Sequence, residues 1–124
     1  MSWDRVAISD VASVITGKTP SKKEADNFGG EIPFVTPSEL VDKYVCSSPQ
    51  TLTEKGAKSV KLVPPNSIMV CCIGSLGKLA IASKEMATNQ QINSVVFDEA
   101  KVDARFGFYA LQQLKPRMVA LAPA

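Results

Sequence analysis

Hydrophobic positions along the chain come in short runs broken by turn residues, a rhythm of many short strands with brief helices between them. Trp3 to Ile8 reads as a short strand, and Ser9 as the N-cap of a brief helix from Asp10 to Ile15 that Gly17 stops. Lys18 to Gly30 is polar and ends in Gly29-Gly30, the composition of a long exposed loop. Ile32-Pro33-Phe34-Val35 is an apolar run suited to a strand, its proline to an edge. Thr36-Pro37-Ser38-Glu39 then sets Thr at N-cap, Pro at N1 and Glu at N3, a capping box opening a helix of one or two turns. Tyr44 to Cys46 is a small strand, Ser47 to Thr53 a second surface loop, and Thr53-Glu54-Lys55-Gly56 a further helical turn.

In the second half, Val63-Pro64-Pro65-Asn66 is a firm turn. Ile68 to Ile73 is apolar on both faces, as for a strand covered on two sides. Gly74-Ser75-Leu76-Gly77 connects it to a returning strand, Leu79 to Ala82. Glu85 to Asn89 reads as a turn, and Gln91 to Phe97 as the third strand of an antiparallel meander. Asp103 caps a helix from Ala104 to Lys115, with Phe106, Tyr109, Ala110 and Leu114 as its expected buried face. Pro116 is expected to kink or end it, and Met118 to Leu121 to add a last turn. The fold class is α+β: a twisted, mainly antiparallel sheet with short helices in the connections and a C-terminal helix. The alternating βαβα pattern of a nucleotide-binding sheet is absent.

Composition narrows the picture. The 124 residues, 45% apolar and 21% charged, suit one domain with a real core. A net charge of +2, from 14 Lys and Arg against 12 Asp and Glu, is modest for a protein that grips nucleic acid alone, so partners would supply much of any such affinity. The cysteines, Cys46, Cys71 and Cys72, fit neither a disulfide framework nor a zinc site and read as reduced, buried core thiols. That points to a reducing, cytoplasmic compartment. No signal-peptide pattern or membrane-length apolar run is seen, so no membrane partner is expected.

Several chemistries are excluded. Without histidine there is no Ser-His-Asp or Cys-His arrangement. The carboxylates are scattered, and no metal cluster or cofactor motif stands out, so no cofactor is expected. Gly74-Ser75-Leu76-Gly77-Lys78 is no phosphate loop, because Cys72 stands where the first glycine is needed and Leu79 where Ser or Thr would hold magnesium. An Asn-Pro-Pro-Tyr methyltransferase motif is missing; Pro64-Pro65-Asn66 has the wrong order. Two segments could bind. Gly17-Lys18-Thr19-Pro20-Ser21-Lys22-Lys23 carries three lysines with small hydroxyl and glycine positions: either a solvated loop or a set of phosphate contacts. Thr88-Asn89-Gln90-Gln91-Ile92-Asn93 offers amides that either hold a turn or pair with adenine. Ser75 and Lys78 share the ambiguity, and Asn89-Gln90 could brace their hairpin tip.

Taken in order, Trp3 to Ile8, Gly17-Lys18-Thr19-Pro20-Ser21, Gly30-Glu31-Ile32-Pro33-Phe34-Val35-Thr36-Pro37-Ser38-Glu39-Leu40, Thr53-Glu54-Lys55-Gly56-Ala57, Leu62-Val63-Pro64-Pro65, Gly74-Ser75-Leu76-Gly77-Lys78 and Thr88-Asn89-Gln90-Gln91-Ile92 form a series. It resembles the target recognition domain of type I restriction–modification specificity subunits, over nearly the whole chain. The resemblance implies an α+β domain with exposed reading loops. Two such domains joined by long helices each read one half of a bipartite double-stranded DNA sequence. The subunit recruits modification subunits, which bind S-adenosylmethionine and methylate adenine N6, and restriction subunits, which translocate and cleave DNA using ATP. The domain itself would be non-catalytic. Residues 1–124 are then expected to be one truncated target recognition domain, without the spacer helix and the second specificity half.

The DNA-binding candidates are Lys18, Thr19, Ser21, Lys22, Lys23, Ser38, Ser75, Lys78, Asn89, Gln90 and Gln91. Family members read different sequences, so shared motifs suit scaffold or phosphate contacts. Base readers are expected near Lys22 to Asn27, Ser38 to Lys43 and Ser47 to Lys58. The alternative is a protein-interaction module that docks on the modification subunit without binding DNA, favoured by the truncation and modest charge.

Overall fold

The computed structural model describes residues 11–71 and 78–121, with side chains described to residue 113. Among the described residues eight strands form two sheets: β1 (Ala12–Thr16), β2 (Phe28–Val35), β3 (Tyr44–Val45), β4 (Gln50–Leu52), β5 (Ile68–Cys71), β6 (Leu79–Ala82), β7 (Ala87–Thr88) and β8 (Ile92–Phe97). The larger sheet has the order β1-β8-β5-β6-β3 and the smaller β4-β2-β7. Pairing is antiparallel except for β3 with β6 and β7 with β2. Among the described residues two helices join them, α1 (Glu54–Ala57) and the C-terminal α2 (Ala104–Leu121), with 3-10 turns at Ala25–Asn27 and Pro37–Glu39. The expected α+β class, mainly antiparallel with a C-terminal helix, is what the chain adopts.

Side-chain alternation places the larger sheet between two layers. Met69, Cys71, Ala80, Ala82 and Ile92 point to one face, where Val35, Leu40, Val63 and Met86 cover them. Ile68, Val70, Leu79, Ile81, Val95 and Phe97 point to the other, where Val102, Phe108 and Leu111 close the core. β5 and β6 are buried at every described position, as their apolar runs predict. Fully burying side chains such as Ile68, Ile81 and Ile92 stabilises by about 1.5–3 kcal/mol each.

Local expectations hold where chemistry is local. Glu39 Oε1 accepts from the Thr36 N–H at 2.8 Å, closing the capping box over a single 3-10 turn. Thr53 caps α1, its hydroxyl oxygen accepting from Gly56 N–H at 3.1 Å. Asp103 caps α2, its Oδ1 accepting from Arg105 N–H at 2.9 Å. Asn66 takes the left-handed conformation at φ 72°, which asparagine tolerates in a turn.

Other expectations are corrected. Residues 12–16 form β1 rather than the end of a helix; Val14, Ile15 and Thr16 are β-branched and pair with β8. β2 starts at Phe28, bulges before Ile32, and is central rather than an edge. Pro33 is tolerated because only β4 flanks it there; β7 joins at Phe34 and Val35. Ser47 to Thr53 is no loop, since Gln50–Leu52 form β4 and Leu52 is fully buried. Glu85 to Asn89 is no simple turn, because Ala87–Thr88 add to the smaller sheet. β8 pairs with β5 rather than β6, so the meander is broken by the excursion through β7. On α2 the buried stripe is Ala104, Phe108 and Leu111, while Phe106 and Tyr109 are exposed. The stripe is set by Gly107, where an added Cβ would lie 2.4 Å from the Phe97 ring. The helix continues through Pro116 to Leu121. Cys46 is exposed, whereas Cys71 is a buried thiol, as expected. Trp3 to Ile8, Ser9, Cys72, Ile73 and Gly74 to Gly77 lie outside the described residues, as does the Leu114 side chain.

Candidate nucleic-acid interface

Strand register gathers the candidate segments at one end of the larger sheet. Thr16 of β1 lies opposite Asn93, Asn93 opposite Val70, and Val70 opposite Leu79. The chain leaving β1 at Gly17, Lys78 just before β6 and the Asn89 to Gln91 turn before β8 are therefore neighbours. Thr36 joins them, because Asn89 N–H donates to Val35 O at 3.0 Å. Lys43 lies further along β6, its carbonyl accepting at 2.7 Å from the N–H of Ile81, which pairs with Ile68.

Gly17 makes the closest junction. Its N–H donates to Ile92 O and the Lys18 N–H to Thr88 O, both at 3.0 Å. A Cβ on Gly17 would fall 1.9 Å from Asn89 O, so only glycine lets the strand exit press against the amide turn. Thr19 then donates its hydroxyl to Gln90 Oε1 at 2.6 Å. Two segments singled out separately in the sequence, Gly17 to Ser21 and Thr88 to Ile92, thus form one platform. Within the turn, Gln91 N–H donates to Asn89 Oδ1 at 3.0 Å and Asn89 Nδ2 to Gln91 Oε1 at 3.2 Å.

Ser21, Lys22 and Lys23 lie beyond the platform, all exposed. Their turn is braced by Asn27, a buried residue whose Nδ2 donates to Ser21 O at 3.0 Å. Asn27 O accepts from Thr53 N–H at 3.0 Å, which ties the turn to α1. Asn27 belongs to a segment expected to hold base readers, yet its amide is engaged inside the fold. Ser38 is exposed and bonded to Glu39 and to Thr36. Lys78 is half-buried, its carbonyl accepting from Cys71 N–H at 2.9 Å. Ser75 lies outside the described residues, so bracing of the hairpin tip by Asn89-Gln90 is likewise outside them.

Lys55 contacts the carboxylates of Asp26 at 2.9 Å and Glu24 at 3.4 Å. Its hydrogen bond holds Asp26 below the ordinary carboxylate range and raises Lys55 above its own. Lys18, Lys22 and Lys23 make no ion pair among the described residues, so their charges face solvent. Sequence reasoning did not find the role of Lys43, whose ammonium bonds Tyr109 Oη at 2.8 Å and lies 4.6 Å from that ring's centre. A Lys-Tyr dipeptide far from the helix gives no hint of it.

The family model for the type I restriction modification DNA specificity domain matches residues 1–122. The chain belongs to this family. The specificity domain is 34% identical over 114 residues to the type I restriction enzyme HindI specificity subunit of Haemophilus influenzae, covering 90% of the chain and 25% of that protein. It is 32% identical over 99 residues to the MjaIX specificity subunit of Methanocaldococcus jannaschii, covering 76% of the chain and 23% of that protein. The specificity domain thus spans about a quarter of the length of these curated relatives. Among solved structures, the HsdS subunit from Thermoanaerobacter tengcongensis shares its fold at a TM-score of 0.75 and 14% identity, over 96% of the chain and 29% of that subunit. The type I restriction–modification S subunit from M. genitalium does so at a TM-score of 0.65 and 21% identity, over 96% of the chain and 28% of that subunit.

Proposed function

We propose that this domain reads double-stranded DNA as the specificity component of a cytoplasmic type I restriction–modification complex, positioning modification and restriction subunits on the DNA. The family match over residues 1–122 carries the proposal, and the convergence of the motif segments at one sheet end supports a DNA-facing surface there. Lys18, Lys22 and Lys23 contact phosphates as flexible point charges, while Thr19, Ser21, Ser38, Lys78, Asn89, Gln90 and Gln91 complete or support that surface; Ser75 is proposed as a DNA contact from the sequence alone. In this reading the domain is a non-catalytic specificity component, in keeping with the specificity domain and specificity subunits it is similar to. Incubated with S-adenosylmethionine and DNA, the purified chain transfers no methyl groups; reproducible adenine methylation would overturn that assignment.

Titration with random-sequence duplex DNA at low and moderate salt tests the main reading. Binding that weakens steeply with salt is the expected result. Absence of DNA binding, together with capture by purified modification subunit, would replace it with a docking module.

A further inference from the structure

The lysine turn is neutral in sequence. Lys22-Lys23-Glu24-Ala25-Asp26 sets two ammonium groups beside two carboxylates. Left alone, each lysine would have an acid close by, and a lysine paired with a carboxylate is a weaker partner for phosphate. The fold brings in a third cation from α1, 29 positions away. Lys55 Nζ lies 3.0 and 2.9 Å from the two Asp26 carboxylate oxygens and 3.4 Å from Glu24 Oε2. Lys22 and Lys23 make no ion pair among the described residues.

This charge cluster is not what holds the turn in place. Asn27 Nδ2 donates to Ser21 O at 3.0 Å, and Thr53 donates its N–H to Asn27 O at 3.0 Å and its hydroxyl to Asp26 O at 2.6 Å. Gly56 packs so closely that a Cβ there would lie 2.2 Å from Asn27 O. Lys55, Glu24 and Asp26 are each more than half exposed, and ion pairs so exposed add little stability.

We infer that Lys55 is a positioning residue for DNA binding: it takes up Glu24 and Asp26, so that the ammonium groups of Lys22 and Lys23 stay free for phosphate, and it touches no DNA itself. The inference rests on the DNA-binding reading above. It also withdraws Lys55 from the Ser47 to Lys58 segment expected to hold base readers. One positive charge among two negative ones leaves the cluster itself with no attraction for phosphate.

The test titrates four full chains with a random-sequence duplex pool at several salt concentrations. They are the parent, Lys55→Gln, the pair Glu24→Gln with Asp26→Asn, and all three changes together. Lys55→Gln should bind about fivefold more weakly, a coupling of the size that contacting charges show. Its salt slope should fall by about one, as a lysine turns from phosphate to a released carboxylate. With both acids neutral there is nothing to take up, so Lys55→Gln should then cost less than about twofold and leave the slope unchanged. Thermal melts of the four chains should agree within about 5 °C. A loss on Lys55→Gln that persists when both acids are neutral would make Lys55 a phosphate contact or a staple of the turn, and would overturn the inference. So would Lys55→Gln binding like the parent. A parent chain that binds no duplex at low salt would instead overturn the DNA-binding reading itself.

Discussion

At one end of the larger sheet, Lys18, Thr19, Asn89 and Gln90 hold one another through bonds between segments far apart in sequence. Thr19 and Gln90 are 71 positions apart. At the other end, Asn66, Glu99, Asp103 and Arg105 line a groove of about 510 Å³ with Tyr44 and Ala104. That end is built from short-range devices: a proline turn, the Asp98 to Lys101 turn and a helix cap, with one bond from Asn66 Nδ2 to Glu99 Oε1 at 2.9 Å. The first end presents lysines without carboxylate partners among the described residues, whereas at the second Asp103 is paired with Arg105 and Asp98 with Lys101.

The largest effect expected from breaking this contrast is at Gly17. Gly17→Ala forces a Cβ against Asn89 O and should cost about 1–3 kcal/mol or more in urea denaturation, as overpacking does. At the opposite end, Asn66→Ala meets the left-handed penalty of about 1–2 kcal/mol and loses the exposed bond to Glu99, and Asn66→Gly should relieve the backbone part alone. Gly17→Ala as stable as the parent would remove the idea of a tightly pressed platform. Next comes charge. Replacing Lys18, Lys22 and Lys23 together by Ala should weaken cognate and random DNA by similar factors in the assembled complex. The salt slope should fall by roughly one unit for each phosphate that no longer has a lysine beside it. Glu99→Gln should weaken neither kind of binding. A defect confined to cognate DNA would mean that the lysine turn reads bases.

A smaller effect is expected at the brace between the lysine turn and α1. Thr53→Ala removes a cap that also donates to Asp26 O at 2.6 Å, and should cost about 1 kcal/mol by thermal melt. Thiol labelling sharpens the picture further: Cys46 should react at once and Cys71 slowly, and Gly17→Ala should speed Cys71 alone. Equal rates in the parent chain would contradict the burial of β5. The smallest effect concerns acid. The Lys55 hydrogen bond lowers Asp26, and the Arg105 backbone N–H lowers Asp103, each from an ordinary 3.8. Both are more acidic folded than unfolded, so their stabilisation is complete above about pH 3.8 and is lost as pH falls through the folded values. Melts below that pH should fall, less so in Asp26→Asn and Asp103→Asn, and salt should shrink the difference because both groups are exposed.

How much of this was legible in the sequence follows range. The capping box at Thr36, the Pro64-Pro65-Asn66 turn, β5 and β6 could be read because a few adjacent residues determine them. β4 and β7 could not: Gln50–Leu52 and Ala87–Thr88 carry little strand signal and are strands because β2 lies between them. β1 was hidden by a convincing N-cap before it, a local preference overridden by pairing with β8. At the site, the motif segments were visible as chemistry, but their meeting was not. Nothing in Thr19 or Gln90 alone says that their side chains would bond each other. Phe106 and Tyr109 were misassigned by one step around a helix whose packed face depends on Gly107 fitting the Phe97 ring.

The pairing of β1 with β8 also dictates an order of events. Ala12 meets Phe97, and the Gly17 junction waits for Ile92, so a nascent chain carries its lysine segment long before anything exists to hold it. Closing so wide a loop costs entropy before any favourable pairing offsets it, which slows folding relative to local hairpins. β5 and β6 can pair early and expose their apolar faces while β8 is still missing. The platform built on Gly17 is thus among the last parts of the molecule to form and depends on late-synthesised residues. A polypeptide released before β8 would keep Lys18, Lys22 and Lys23 but lose the scaffold that orients them.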